Sequence, residues 1–157
     1  MNIGKVLARS TRKLGVGFLL LFSLVQLVAA EPGAQIPSLL QNGFTVWAKQ
    51  GVSYAFDVWK KGGLLENDNK PAVLSNYFRG LDRTLGNYRT YEAINTKQIN
   101  GSSQIVYLAI NFEHAAVYGR FLLYRADKDW VVQNMDFSLK PELIMPWLAF
   151  EGVNYAE

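Results

Sequence analysis

The stretch YRTYEAINTKQINGSSQIVYLAINFEHAAVYGRFLLYRADKDWVVQNMDFSL, residues 88–139, decides the fold. Three short interruptions, Asn100-Gly101-Ser102, Glu113-His114 and Asp127-Lys128, cut it into four tyrosine-rich apolar segments. Within each segment the pattern has the period of two that sends successive side chains to opposite faces of a strand. Such brief connections return a chain antiparallel to itself. Tyr88–Ile99, Ser103–Phe112, Ala115–Ala126 and Asp129–Leu139 therefore read as one β-meander. The first strand is the most polar and is expected at an edge.

One face of this sheet carries Val106, Leu108, Ile110 and Phe112, then Val117, Gly119, Phe121 and Leu123, then Val131, Gln133, Met135 and Phe137. That face is assigned to helices. The other, with Trp130 and Val132 on the last strand, mixes Ile105, Tyr107, Tyr118 and Leu122 with Asn111, Arg120, Asn134 and Asp136. It is too apolar to meet water uncovered and should meet a partner, a ligand or a returning segment. The tail Pro141–Phe150, with Leu143, Ile144, Trp147 and Leu148 in a stripe, is the segment expected to return over it. A β-bulge in any strand would exchange the two faces beyond it.

Upstream the period becomes helical. Leu40, Phe44, Trp47, Ala48, Gly51, Ala55, Val58 and Trp59 recur at spacings of three and four, which predicts one helix capped by Ser38 and ending at Gly62-Gly63. Gly51 within the stripe reads as a close approach to the sheet. A second, shorter helix begins at Asn69-Lys70-Pro71, carries Leu74, Tyr77, Phe78, Leu81 and Leu85, and is capped by Gly86. The class is α+β: two N-terminal helices on a curved four-stranded antiparallel meander, with a short C-terminal helical tail.

Lys5, Arg9, Arg12 and Lys13 precede an uncharged run from Leu14 to Val28 that ends in Val28-Ala29-Ala30. This pattern predicts a secretory leader over 1–30, cleaved after Ala30, and hence a periplasmic or secreted protein. A flexible lead-in over 31–37 and one domain over 38–157 would follow, with membrane contact only through an uncleaved leader. Of the 16 Lys and Arg, four lie in the leader, which leaves 12 against 13 Asp and Glu. A near-neutral domain lacks the cationic footprint that phosphate backbones select, so nucleic acid is not an expected partner. The absence of cysteine excludes disulfides and thiolate chemistry.

The run Gly80-Leu81-Asp82-Arg83-Thr84-Leu85-Gly86-Asn87-Tyr88, then Tyr91-Glu92, Phe121 to Arg125 with Trp130, and Asn134-Met135-Asp136-Phe137 resembles small secreted proteins of NTF2-like (cystatin-like) fold. The resemblance covers roughly Gly80 to Leu143. It implies a cone between sheet and helices that holds an apolar ligand. No residue matches the acid–base pair of the enzymes of that fold, so no catalytic role is carried across.

With one histidine, His114, in a turn, neither a two-histidine metal site nor a well-placed triad is expected, and no cofactor is implied. The constellation pointing to ligand binding is Arg79, Tyr88, Tyr91, Glu92, Asn111, Arg120, Tyr124 and Asn134. Arg120 is the informative member, because an unpaired guanidinium in an apolar strand is costly to bury. Glu92 on a neighbouring strand is its expected partner in an ion pair that braces the open sheet face; the alternative is an anion-recognising arginine at the mouth of a pocket walled by tyrosines. Tyr54, Tyr77, Tyr107 and Tyr118 are expected in the core or along a cavity wall. The expected function is a non-enzymatic binding module for a small, partly apolar ligand or an envelope protein. The alternatives are an isomerase- or lyase-type enzyme using Glu92 or Asp136 with a tyrosine, and a structural homodimer through the open sheet face.

Overall fold

The computed structural model describes residues 36–149; the leader, its cleavage position at Ala30 and residues 150–157 lie outside them. The alternating stretch forms β1 (Tyr88–Asn100), β2 (Ser103–Phe112), β3 (Ala116–Ala126) and β4 (Asp129–Ser138). All neighbours pair antiparallel in the order β1-β2-β3-β4, so the sheet is an open meander with β1 and β4 at its edges. Asp127, at φ 54, makes the turn between β3 and β4, a conformation a short polar side chain tolerates.

The helix predicted from Ser38 to Gly62 is two, α1 (Ser38–Gln50) and α2 (Val52–Lys60). Gly51 sits between them at φ 99 and ψ 168, where only glycine is unstrained. No atom lies within 4 Å of where its Cβ would be, so this glycine serves the backbone and not a close approach. The break resets the helical phase. Val52 and Phe56 join Ala55 and Trp59 inside, whereas Ala48 is exposed. Pro37 occupies the cap position and Ser38 is the first helical residue. Ile36, read as part of a flexible lead-in, is buried in the core, and its carbonyl accepts from Gln41 Nε2 at 2.9 Å.

A 3₁₀ turn at Leu64–Asn67 leads to α3 (Lys70–Leu85), which at 16 residues is longer than α1 or α2 and not shorter as expected. Pro71 stands in its first turn and Gly86, at φ 78, ends it.

The main core lies between the three helices and one face of the sheet. Val106, Leu108, Ile110, Phe112, Val117, Phe121 and Leu123 all face it, as their alternation requires. Gly119 lies opposite Phe137, whose ring covers the position a side chain would take. In β4 the pairing steps from Leu122–Asn134 to Leu123–Val132, which leaves Gln133 as a bulge. Trp130 and Val132 therefore turn inward before the bulge, and Met135 and Phe137 after it. The expectation that Val131 and Gln133 face the helices fails at this one extra residue.

The tail returns over the outer face as α4 (Pro141–Ile144) and a 3₁₀ turn at Pro146–Ala149. Ile144 and Met145 bury Tyr107, with Ile105, Tyr118 and Trp147 around them. The Trp147 and Tyr107 rings meet edge to face, 4.6 Å apart. Leu143, predicted in this contact, is 64% exposed instead, and Met145 takes its place. The Leu148 side chain and Phe150 lie outside the described structure.

Candidate functional site

Arg120 stands mid-way along β3, on the outer face, opposite Tyr107 of β2 and Asp136 of β4. Its Nε donates to Asp136 Oδ2 at 3.0 Å. Glu92 is not the partner, because β2 separates β1 from β3. Glu92 accepts instead from Asn111 Nδ2 at 2.6 Å.

A second cation arrives from the first turn of α3. Lys70 Nζ donates to Asp136 Oδ1 at 2.8 Å and to Asn134 Oδ1 at 2.6 Å. Asn134 Oδ1 also accepts the Met135 N–H at 3.0 Å, immediately after the Gln133 bulge. Burial pushes the Asp136 carboxyl up, but the hydrogen bonds from Lys70 and Arg120, with their charges, outweigh it and hold the group below the usual aspartate value. Two cations thus share one carboxylate, and the cluster keeps a net positive charge.

Arg120, Asn134 and Asp136, with Ile105 and Leu122, line a cleft of about 190 Å³. Ile105 and Leu122 are direct cross-strand partners and give the cleft an apolar wall. Among the described residues, Arg120 Nη1 and Nη2 make no hydrogen bond.

Of the eight predicted site residues, only Arg120 and Asn134 meet here. Tyr88 and Tyr91 face the helices, where Tyr88 stacks on Trp47 at 4.8 Å and Tyr91 on Phe44 at 4.0 Å. Burial, and secondarily the neighbouring Tyr91, push the Tyr88 phenol up to about 12. Tyr124 is 40% exposed near the end of β3, opposite Ser103 and Val131. Arg79 bonds to Asn76 and lines a separate groove between α2 and α3. Lys70 was invisible to sequence reasoning: it reads as a helix-start residue, and 64 positions separate it from Asn134.

Among the described residues, aromatic rings pack the space between the helices and the inner face of the sheet. Trp59 packs against Phe44 at 4.9 Å and Phe121 at 5.1 Å, and Phe78 against Phe137 at 4.9 Å. Tyr54, expected in core or cavity wall, is exposed, whereas Tyr77, also exposed, lines a surface depression. A third depression, of about 610 Å³, runs between α3 and the tail and is lined by Val73, Tyr77, Phe137, Leu139 and Leu143.

His114 sits in the β2–β3 turn, donating its backbone N–H to Leu85 O at 2.9 Å. Among the described residues no three His, Asp or Glu side chains gather as a metal site, and no helix is long and apolar enough to cross a membrane. No protein-family model, curated protein or solved structure matches the chain.

Proposed function

We propose that the chain is a non-enzymatic binding module of NTF2-like (cystatin-like) type, exported to the periplasm or beyond, that takes a small, partly apolar ligand on the outer face of its sheet. Helices followed by an open four-stranded meander support the fold relationship. One observation carries the functional reading: aromatic rings fill the interior, while the outer face keeps a cleft that combines an arginine with an apolar wall. The enzyme alternative lacks support, because a general base works best with a pKa near the operating pH and Asp136 is held low. Glu92 is exposed and hydrogen-bonded to Asn111. The tail over Tyr107 takes up part of the face a homodimer would use, which weighs against that reading.

An envelope protein partner is the second reading, favoured by the apolar groove beside α3, where Val73, Tyr77, Leu139 and Leu143 are all exposed. Native mass spectrometry and thermal shift of the purified chain across a lipid and metabolite panel test the first reading. A bound ligand whose stabilisation disappears in Leu122→Asp supports it. No ligand and no shift across the panel overturn it.

A further inference from the structure

Resting on the outer-face reading, we infer that the cleft at Arg120 recognises a monocarboxylate with a short branched apolar body. A guanidinium presents two ways of gripping a carboxylate, one through Nε and a terminal nitrogen and one end-on through Nη1 and Nη2. Asp136 takes Nε, at 3.0 Å, and holds the arginine in place. The end-on pair is unspent among the described residues and belongs to a side chain that lines the cleft and is 41% exposed.

Charge selects the anion. Lys70 and Arg120 both bond to the single carboxylate of Asp136, so one positive charge remains uncompensated in the cluster. A monoanion cancels it. A phosphate dianion would exceed it and would crowd a second negative charge against Asp136. Lys70 spends two of its three donors on Asp136 and Asn134 and is not among the residues lining the cleft, which leaves Arg120 as the recognising group and Lys70 as the positioning one.

Shape selects the rest of the ligand. Ile105 and Leu122 face one another across β2 and β3 and line the same cleft. A volume of about 190 Å³ admits a few carbon atoms beyond the carboxylate and excludes a long acyl chain. The cleft therefore suits a branched short-chain acid, its carboxylate on the Arg120 fork and its methyl groups against Ile105 and Leu122.

The test is a titration of the isotope-labelled full chain, followed by NMR, with 4-methylpentanoate, its neutral amide and inorganic phosphate. Saturable shifts at the Ile105 and Leu122 methyls and at Arg120 Nε–H are expected from 4-methylpentanoate alone. Arg120→Lys, which retains a cation for Asp136 but loses the fork, weakens that binding roughly ten- to hundredfold with the fold intact. Phosphate binding as tightly as the acid, or unchanged affinity in Arg120→Lys, overturns carboxylate recognition. Equal shifts from the amide overturn it while leaving outer-face binding standing. Absence of shifts at Ile105 and Leu122 from all three probes overturns carboxylate recognition, whereas the wider ligand panel separately decides outer-face binding.

Discussion

The indole of Trp59 fills the space that a Cβ on residue 43 would need. α1 and α2 can cross this closely only because Gly43 has no side chain, and the contact lets Trp59 be fully buried with its Nε1 donating to Leu40 O at 3.4 Å. Gly43→Ala is expected to destabilise the protein by roughly 1–3 kcal/mol, the usual cost of overpacking, even though alanine favours the helix by about 1 kcal/mol. Gly80, exposed on α3 with nothing within 4 Å of its Cβ position, is the internal control. Gly80→Ala should stabilise by about 0.5–1 kcal/mol. Urea midpoints of the two variants should move in opposite directions.

Asp136 links stability to acid. Its folded-state pKa is depressed, so its contribution is present above the ordinary aspartate value of 3.8 and is lost as pH falls through the folded value. Asp136→Asn should cost roughly 1–2 kcal/mol at neutral pH, since it leaves two cations without their shared partner. The loss of stability on acidification should become shallower in the variant. Denaturation at a series of acidic pH values measures both effects, and an unchanged slope would remove Asp136 from this role.

Tyr88 governs the opposite arm. Its phenol is raised from 10.0 to about 12, so the folded state keeps a proton that the unfolded chain has already released. Stability therefore falls with rising pH between those two values. Tyr88→Phe should flatten this alkaline loss, and phenolate absorbance should show one fewer late-titrating group.

Ile144 is 3% exposed, but it belongs to the small cluster around Tyr107 and not to the main core. Ile144→Ala removes buried methyl groups, a change that costs about 2–5 kcal/mol in a core. Here the loss should appear as undocking of the tail, with the helices and sheet remaining folded. Hydrogen exchange should accelerate over residues 141–149 while the global urea midpoint changes little.

The meander was legible because a strand alternates with a period that one bulge cannot hide: the limits of β2 agree with its pattern residue for residue. The helix count was misread because Gly51 fits the helical spacing, and spacing carries no information about φ. The candidate site was legible at Arg120, whose charge conflicts with its apolar strand. Its partner was not, because Gln133 is an extra residue and register across β3 and β4 depends on it. Lys70 shows the remaining limit: a side chain reaching from a distant helix leaves no local pattern.

The two edges of the sheet are unlike. Gly63 packs on the Val132 carbonyl, the Leu64–Asn67 turn lies against β4, and Lys70 bonds to two of its side chains. Among the described residues β1 has no neighbour beyond it, and it carries three register shifts along its 13 residues. A strand added to the described sheet therefore meets less obstruction at β1 than at β4. The Leu64–Asn67 turn thus works against edge-to-edge growth on the β4 side, the side on which Lys70 reaches Asp136.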